Sequence, residues 1–254
     1  SLANMLGATR TSVATGVAIG LQDSPEALVA KVEHAVAEGY DRIKIKIQPG
    51  ADIDYVHAVR ETFGAGLSLM VDANNAYTLD DIETLKALDE FSLLMIEQPL
   101  AWDDIVEHAY LQSLLTTPIC LDESIHTLAH LDTMIALDSG RILNIKPGRV
   151  GGLLTAQHMH DRCEENRIPV WCGGMLETGI GRAYNVALAA KDNFTIPGDL
   201  SPSRRYWAQD IVSPEWDMDA EAMVQVPLDI PGLGVTIDTD RIDALTVRKQ
   251  EITA

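Results

Sequence analysis

Five charged residues recur at a nearly constant interval. Lys46, Asp72, Glu97, Asp122 and Lys146 stand 24 to 26 residues apart, and each ends a short apolar run. Asp72, Glu97 and Asp122, brought together, would offer only oxygen donors. Such a set suits a hard divalent cation: Mg²⁺, or failing that Mn²⁺ or Co²⁺. No histidine joins the series, so zinc fits poorly. Without a cation the three carboxylates would repel one another and raise each other's pKa. The lysines bracket the acids in sequence, which places one on each side of a carboxylate bound among them. That is the arrangement for moving a proton at the carbon next to a carboxylate. The enediolate formed on the way needs positive charge fixed in place beforehand. A lysine base needs its pKa brought from about 10.4 toward about 7–8. Lys44, two residues from Lys46 and on the same strand face, is placed to lower its neighbour's pKa by like-charge repulsion. Arg149, three residues past Lys146, either does the same on the other flank or is a loop charge.

The elements that must position these residues alternate along the chain. Strands are predicted over 13–21, 42–47, 67–71, 93–96, 118–121, 141–145 and 168–172. Helices between them begin at Ser24-Pro25, an N-cap followed by proline at the first helical position, and at about Asp52. Further helices begin at Thr78, with Asp81 three residues on, and near Asp103, Leu128, Gly151 and Gly179. Leu79, Ile82, Leu85 and Leu88 give the third helix its apolar stripe. Strands alternating with helices make a parallel sheet. Seven or eight units without a dinucleotide glycine fingerprint favour a closed barrel over an open doubly wound sheet. Parallel strands are buried on both faces, so charges at their C-terminal tips are informative. In a barrel those tips share one mouth.

Other signals narrow the function. A net charge of −19 over 254 residues argues against nucleic acid and anionic membranes as partners. No apolar run approaches the ~18 residues of a membrane helix, and no basic-plus-apolar stretch stands at the start of the chain, so export is not expected. Three cysteines, Cys120, Cys163 and Cys172, lack metal-type spacing and read as buried thiols in a cytoplasm. His126 and His130 lack the glutamate that a metalloprotease helix needs. Gly151-Gly152 opens a helix after a strand, either as a tight turn or as a place for an anion.

The order K-x-K, D, E, D, K resembles the muconate-lactonizing subgroup of the enolase superfamily. More narrowly, "KIKIQPG", "VDANNAY", "MIEQPL", "CLDESI", "NIKPGRVGG", "WCGGMLETGIGRAYNVALAA" and "PGDLSPSRRYWAQDI" resemble the N-acylamino acid racemase / o-succinylbenzoate synthase family, over about residues 10–240. The resemblance implies a (β/α)7β TIM-like barrel, α/β in class. It implies Asp72, Glu97 and Asp122 as metal ligands and Lys46 and Lys146 as the acid/base pair; beside them Lys44 is read as a third catalytic lysine and Glu123 and Arg149 as supporting residues. It also implies that Asn74 and the stretch Gly174, Met175 and Leu176 touch the substrate. Family members carry an N-terminal α+β capping domain before the barrel. "SLANMLGATRT" resembles the last turn before the first barrel strand, so the cap is expected to be missing here or supplied separately. On this reading residues 1–10 are the junction, 11–225 the barrel, and 226–254 a segment returning toward the cap.

The expected function is divalent-metal-dependent racemisation of N-acyl, especially N-succinyl, amino acids by two-base 1,1-proton transfer. The alternatives are o-succinylbenzoate synthesis by syn dehydration in menaquinone biosynthesis, through the same kind of intermediate, and a non-catalytic barrel that binds a partner. The expected partners are a small-molecule carboxylate substrate and further copies of the chain in a homo-oligomer.

Overall fold

The structure is a computed structural model that describes residues 1–251. After α1 (Leu2–Met5) and β1 (Ser12–Ala14), the chain alternates: β2 (Val17–Ile19), α2 (Pro25–Ala37), β3 (Arg42–Lys46), α3 (Ile53–Phe63), β4 (Ser68–Asp72), α4 (Ile82–Ala87), β5 (Ile96–Glu97), α5 (Val106–Leu114), β6 (Ile119–Leu121), α6 (Leu128–Leu137), β7 (Ile142–Ile145), α7 (Leu153–Glu165), β8 (Val170–Cys172) and α8 (Gly179–Ala189). Short pieces follow: β9 (Val212–Ser213), β10 (Met223–Gln225), β11 (Thr236–Ile237) and α9 (Thr239–Leu245).

Strands β2 to β8 form one parallel sheet in sequence order. An eighth, irregular stave closes it. Phe194 bridges Val170, Asp199 N–H donates to Cys172 O at 2.9 Å, and Gly198 bridges Thr15. The result is a (β/α)7β barrel. Local chemistry starts the helices where the sequence places them. Ser24 Oγ accepts from Ala27 N–H ahead of Pro25, Thr78 and Asp81 form a reciprocal capping box, and Thr127 caps α6. Leu28 and Val32 on α2 are buried beneath the strands' outer face, each contributing about 1.5–3 kcal/mol.

Strand alternation sorts the side chains into two populations. Ile43, Ile45, Leu69, Val71 and Leu143 belong to the large core between strands and helices. Met70, Met95, Cys120, Ile142 and Trp171 form a separate apolar cluster. Lys44 is paired in register with Met70, and Asn144 with Trp171. One inward step further along, Lys46 is level with Asp72 and Asp72 with Glu97. A polar layer thus lies above an apolar floor.

The strand expected over 13–21 is in fact two. Its first half, β1, pairs antiparallel with β10, and only β2 joins the barrel. The break falls at Gly16, where a Cβ would lie 2.2 Å from the guanidinium carbon of Arg42. The remaining elements begin or end within a few residues of their expected bounds. Residues 2–4 pack against residues 228–232: Asn4 Nδ2 donates to Leu228 O at 3.0 Å, and Leu2 N–H to Gly232 O at 2.8 Å.

Candidate active site

Three carboxylates and three lysines meet at the C-terminal mouth of the barrel. Asp72 and Glu97 are the last residues of β4 and β5, and Asp122 follows β6 directly. All three are buried. Lys46 ends β3, and its Nζ lies 2.6 Å from Asp72 Oδ2. Lys146 follows β7, and its Nζ lies 2.5 Å from Asp122 Oδ2. The two lysines therefore flank the acids from opposite sides, with β4, β5 and β6 between them.

Each acid is paired with at least one cation. With one oxygen each, the three carboxylates do not all come within 4.8 Å of one another. Arg149 forms an ion pair with the second oxygen of Asp122, and its Nε donates to Ile125 O at 2.8 Å. Burial would raise the pKa of Asp122, but Arg149 and Lys146 hold it below the usual carboxylate range. Glu97 moves the other way: burial and the neighbouring Asp72 carboxylate push it well above that range.

Sequence reasoning placed Lys44 as a device for lowering the pKa of Lys46. The structure gives it a different set of partners. Its Nζ sits 2.8 Å from Asp199, 3.1 Å from Glu97 and 3.5 Å from Asp72. Burial opposes its charge, yet those three carboxylates hold its pKa well above the ordinary lysine value. Lys146 is likewise held above its ordinary value, against burial, by Asp122 and Glu97.

The supporting residues divide. Asn74 takes a left-handed backbone conformation (φ 42°). Its Oδ1 accepts from Lys46 Nζ, and its Nδ2 donates to Glu123 Oε1 at 3.2 Å. Glu123 Oε2 is buried with no hydrogen-bond partner. Gly174, Met175 and Leu176 line, with Lys46, a cavity of about 390 Å³; Met175 and Leu176 are exposed. Glycine is required at 173 and 174 by close approach. A Cβ on Gly173 would lie 2.2 Å from Asn144 Oδ1 and 2.6 Å from Lys146 Cε. One on Gly174 would lie 2.4 Å from Asp199 O.

Three residues of the site escaped the sequence reading. Arg42, fully buried, donates to Asp199 at 2.7 Å and stacks over Trp171. Asp199 holds both Arg42 and Lys44, and these two cations take it far below the usual range despite burial. Asn144 Nδ2 donates to Glu97 Oε1 at 2.7 Å and fixes that carboxylate. The alternation in "RIKIK" and "LNIK" marks Arg42 and Asn144 as inward-facing. Asp199 carries no such signal, because its stave is irregular.

The donor set fits a hard divalent cation: three buried carboxylates on adjacent strand tips, one of them with its charge disfavoured by burial and by a neighbour of like charge. The one group of three possible ligands that does meet within 4.8 Å among the described residues is His160, Asp161 and Glu164 on α7. His160 is engaged at both nitrogens, by Asp161 and by Asn193 N–H. The cysteines are buried and unpaired, and burial pushes Cys163 up to about 12. Gly151 and Gly152 both have positive φ, the conformation of a tight turn. No helix among the described residues is long and apolar enough to cross a membrane.

A parallel β/α barrel with charged strand tips and paired lysines defines the class of protein. Residues 27–241 match the family described as enolase C-terminal domain-like, and the chain belongs to that family. It is 49% identical over 245 residues to an o-succinylbenzoate synthase of Geobacillus kaustophilus, an alignment covering 96% of this chain and 64% of that protein. It is 49% identical over 249 residues to an N-succinylamino acid racemase of an Amycolatopsis species, covering 98% of this chain and 67% of the relative. Among solved structures, an enolase-superfamily member from Listeria innocua superposes with a TM-score of 0.92 at 47% identity. That match covers 96% of this chain and 65% of the other. The chain thus spans about two thirds of the length of these relatives.

Proposed function

We propose that this chain is the catalytic barrel of a divalent-metal-dependent enzyme that racemises N-succinyl amino acids by 1,1-proton transfer. The observation that carries the reading is the placement of Lys46 and Lys146 on opposite sides of Asp72, Glu97 and Asp122. Asp72, Glu97 and Asp122 would hold Mg²⁺, or Mn²⁺ or Co²⁺, and such an ion supplies the positive charge that an enediolate needs and draws the acids' charge away from the lysines.

The protein's own groups do the rest. A neutral Lys46 Nζ takes the proton from the α-carbon on one face and becomes an ammonium. Lys146, as an ammonium, returns a proton to the opposite face and becomes an amine. The reverse sequence carries the other enantiomer. Buried Lys44 adds fixed positive potential beneath the site. Asn74 orients Lys46, and Arg149 orients Asp122, the partner of Lys146. The backbone at Gly174–Leu176 walls the substrate side of the cavity. We place the barrel at residues 11–225, with 1–10 and 226–254 as the segments that join it to the rest of a longer enzyme.

A second reading, o-succinylbenzoate synthesis, is favoured by the names of several relatives. There Lys46 removes the proton, water leaves from the same face, and Lys146 acts as a fixed cation. The two readings separate in one experiment. The chain is incubated with Mg²⁺ in D₂O, with N-succinyl amino acids in one arm and the dehydration substrate in the other. Deuterium at the α-carbon together with racemisation supports the first reading; dehydration without racemisation overturns it.

A further inference from the structure

The cavity beside Lys46 has a second cation in its wall. Arg205 lines it together with Lys46, Ala18, Leu176 and Tyr206. Asp199 also borders the cavity, but its charge is taken by Arg42 and Lys44. Arg205 itself forms no ion pair among the described residues, whereas its neighbour Arg204 pairs with Asp217. The Arg205 side chain is nonetheless held in place. Its Nη2 donates to Ala18 O at 2.8 Å, and the guanidinium lies 6.0 Å from the centre of the Tyr206 ring. One of its five donors is thus committed, and the others have no hydrogen-bond partner among the described residues. A planar fork with free donors is the side chain best suited to grip a carboxylate.

We propose that Arg205 binds a second carboxylate of the substrate. The site is then built for dicarboxylates, with one carboxylate among the strand-tip acids and lysines and the other at the end of a short acyl arm. The inference rests on the functional reading above and deepens it. It would set a preference for an N-succinyl over an N-acetyl group by a specific contact rather than by the volume of the cavity.

The test uses the 254-residue chain, Mg²⁺, and two ligands without a stereocentre, N-succinylglycine and N-acetylglycine, compared by calorimetry. The wild-type chain is expected to bind the succinyl compound about tenfold more tightly, or better, as a charge-assisted bond allows. In Arg205→Met the ratio should fall to within about twofold of one. Arg205→Lys should recover part of it, and Arg204→Met should keep all of it. A ratio near one in the wild-type chain, a ratio that survives Arg205→Met, or an equal loss in Arg204→Met overturns the proposal. Deuterium exchange at the glycine α-carbon is followed in the same samples. Tight succinyl-selective binding without exchange would refute the proton-transfer reading and leave the Arg205 site standing.

Discussion

Gly173→Ala tests how closely the fold holds Lys146. The new methyl group would lie 2.6 Å from Lys146 Cε and 2.2 Å from Asn144 Oδ1. Ordinary carbon–carbon contact begins near about 3.5 Å, so the lysine arm must retreat by about 1 Å. Asn144 has little room to move, because its Nδ2 is committed to Glu97. A misplacement of about 1 Å at a reacting group costs about 10²-fold in rate, or about 2.7 kcal/mol of barrier. Crowding should cost a further 1–3 kcal/mol or so in stability. Racemisation is followed by chiral chromatography, and proton–deuterium exchange is measured separately for each enantiomer. We expect kcat to fall about 10²-fold, with exchange lost for the enantiomer whose proton faces Lys146 and largely kept for the other. The control is Gly148→Ala in the loop after β7, two residues past Lys146, where a Cβ meets nothing within 4 Å; it should stay within twofold of wild type. Racemisation by Gly173→Ala at the wild-type rate, or equal loss on both faces, would refute the reasoning.

Mg²⁺ should raise the melting temperature of the wild-type chain, and Glu97→Gln should abolish most of that rise; an identical rise in both would remove Glu97 from the ligand set. Asp104 caps α5, accepting from Val106, Glu107 and His108 N–H and from His108 Nδ1 at 2.8 Å. Burial would raise its pKa, but the bonds from His108 and the backbone bring it from 3.8 down to about 2. The folded value lies below the unfolded one, so this stabilisation is present above about pH 4 and is lost as pH falls from about 4 to about 2. Discounted for solvent screening, it amounts to about 1–2 kcal/mol. Asp104→Ala should remove that much in urea melts at pH 7 and flatten the acid limb; an unchanged acid limb would contradict the assignment. Asp199→Asn strips one buried partner from both Arg42 and Lys44 and should destabilise by about 3–5 kcal/mol, read as a lower denaturant midpoint; a change under 1 kcal/mol would show that the pair is solvated.

The barrel and most of its mouth were legible because the physics repeats. A charge at the end of a buried parallel strand is unusual, and five such charges 24 to 26 residues apart fix both the period and the end of the barrel at which they lie. The inner polar layer was harder to read. Alternation shows that Lys44 faces inward, but not that Asp199, 155 residues away, sits 2.8 Å from it. That contact depends on the closing stave, 194–199, which has neither helical nor strand periodicity. The same stave explains why 13–21 is not one strand. Gly198 and Arg42 both press on the chain at residues 15 and 16, and no local pattern announces either. Lys44 and Lys146 respond to the acids nearest them in space, and pairwise distances are invisible in the sequence.

The central claim is that two lysines work from opposite faces of one α-carbon. The most direct measurement is α-proton exchange into D₂O, with Mg²⁺, for each enantiomer of an N-succinyl amino acid in Lys46→Ala and Lys146→Ala. Neither variant should racemise. Each should still exchange the proton of one enantiomer, and the two variants should keep opposite enantiomers. If Lys46→Ala racemises at the wild-type rate, or both variants retain exchange of the same enantiomer, the two-base account is wrong.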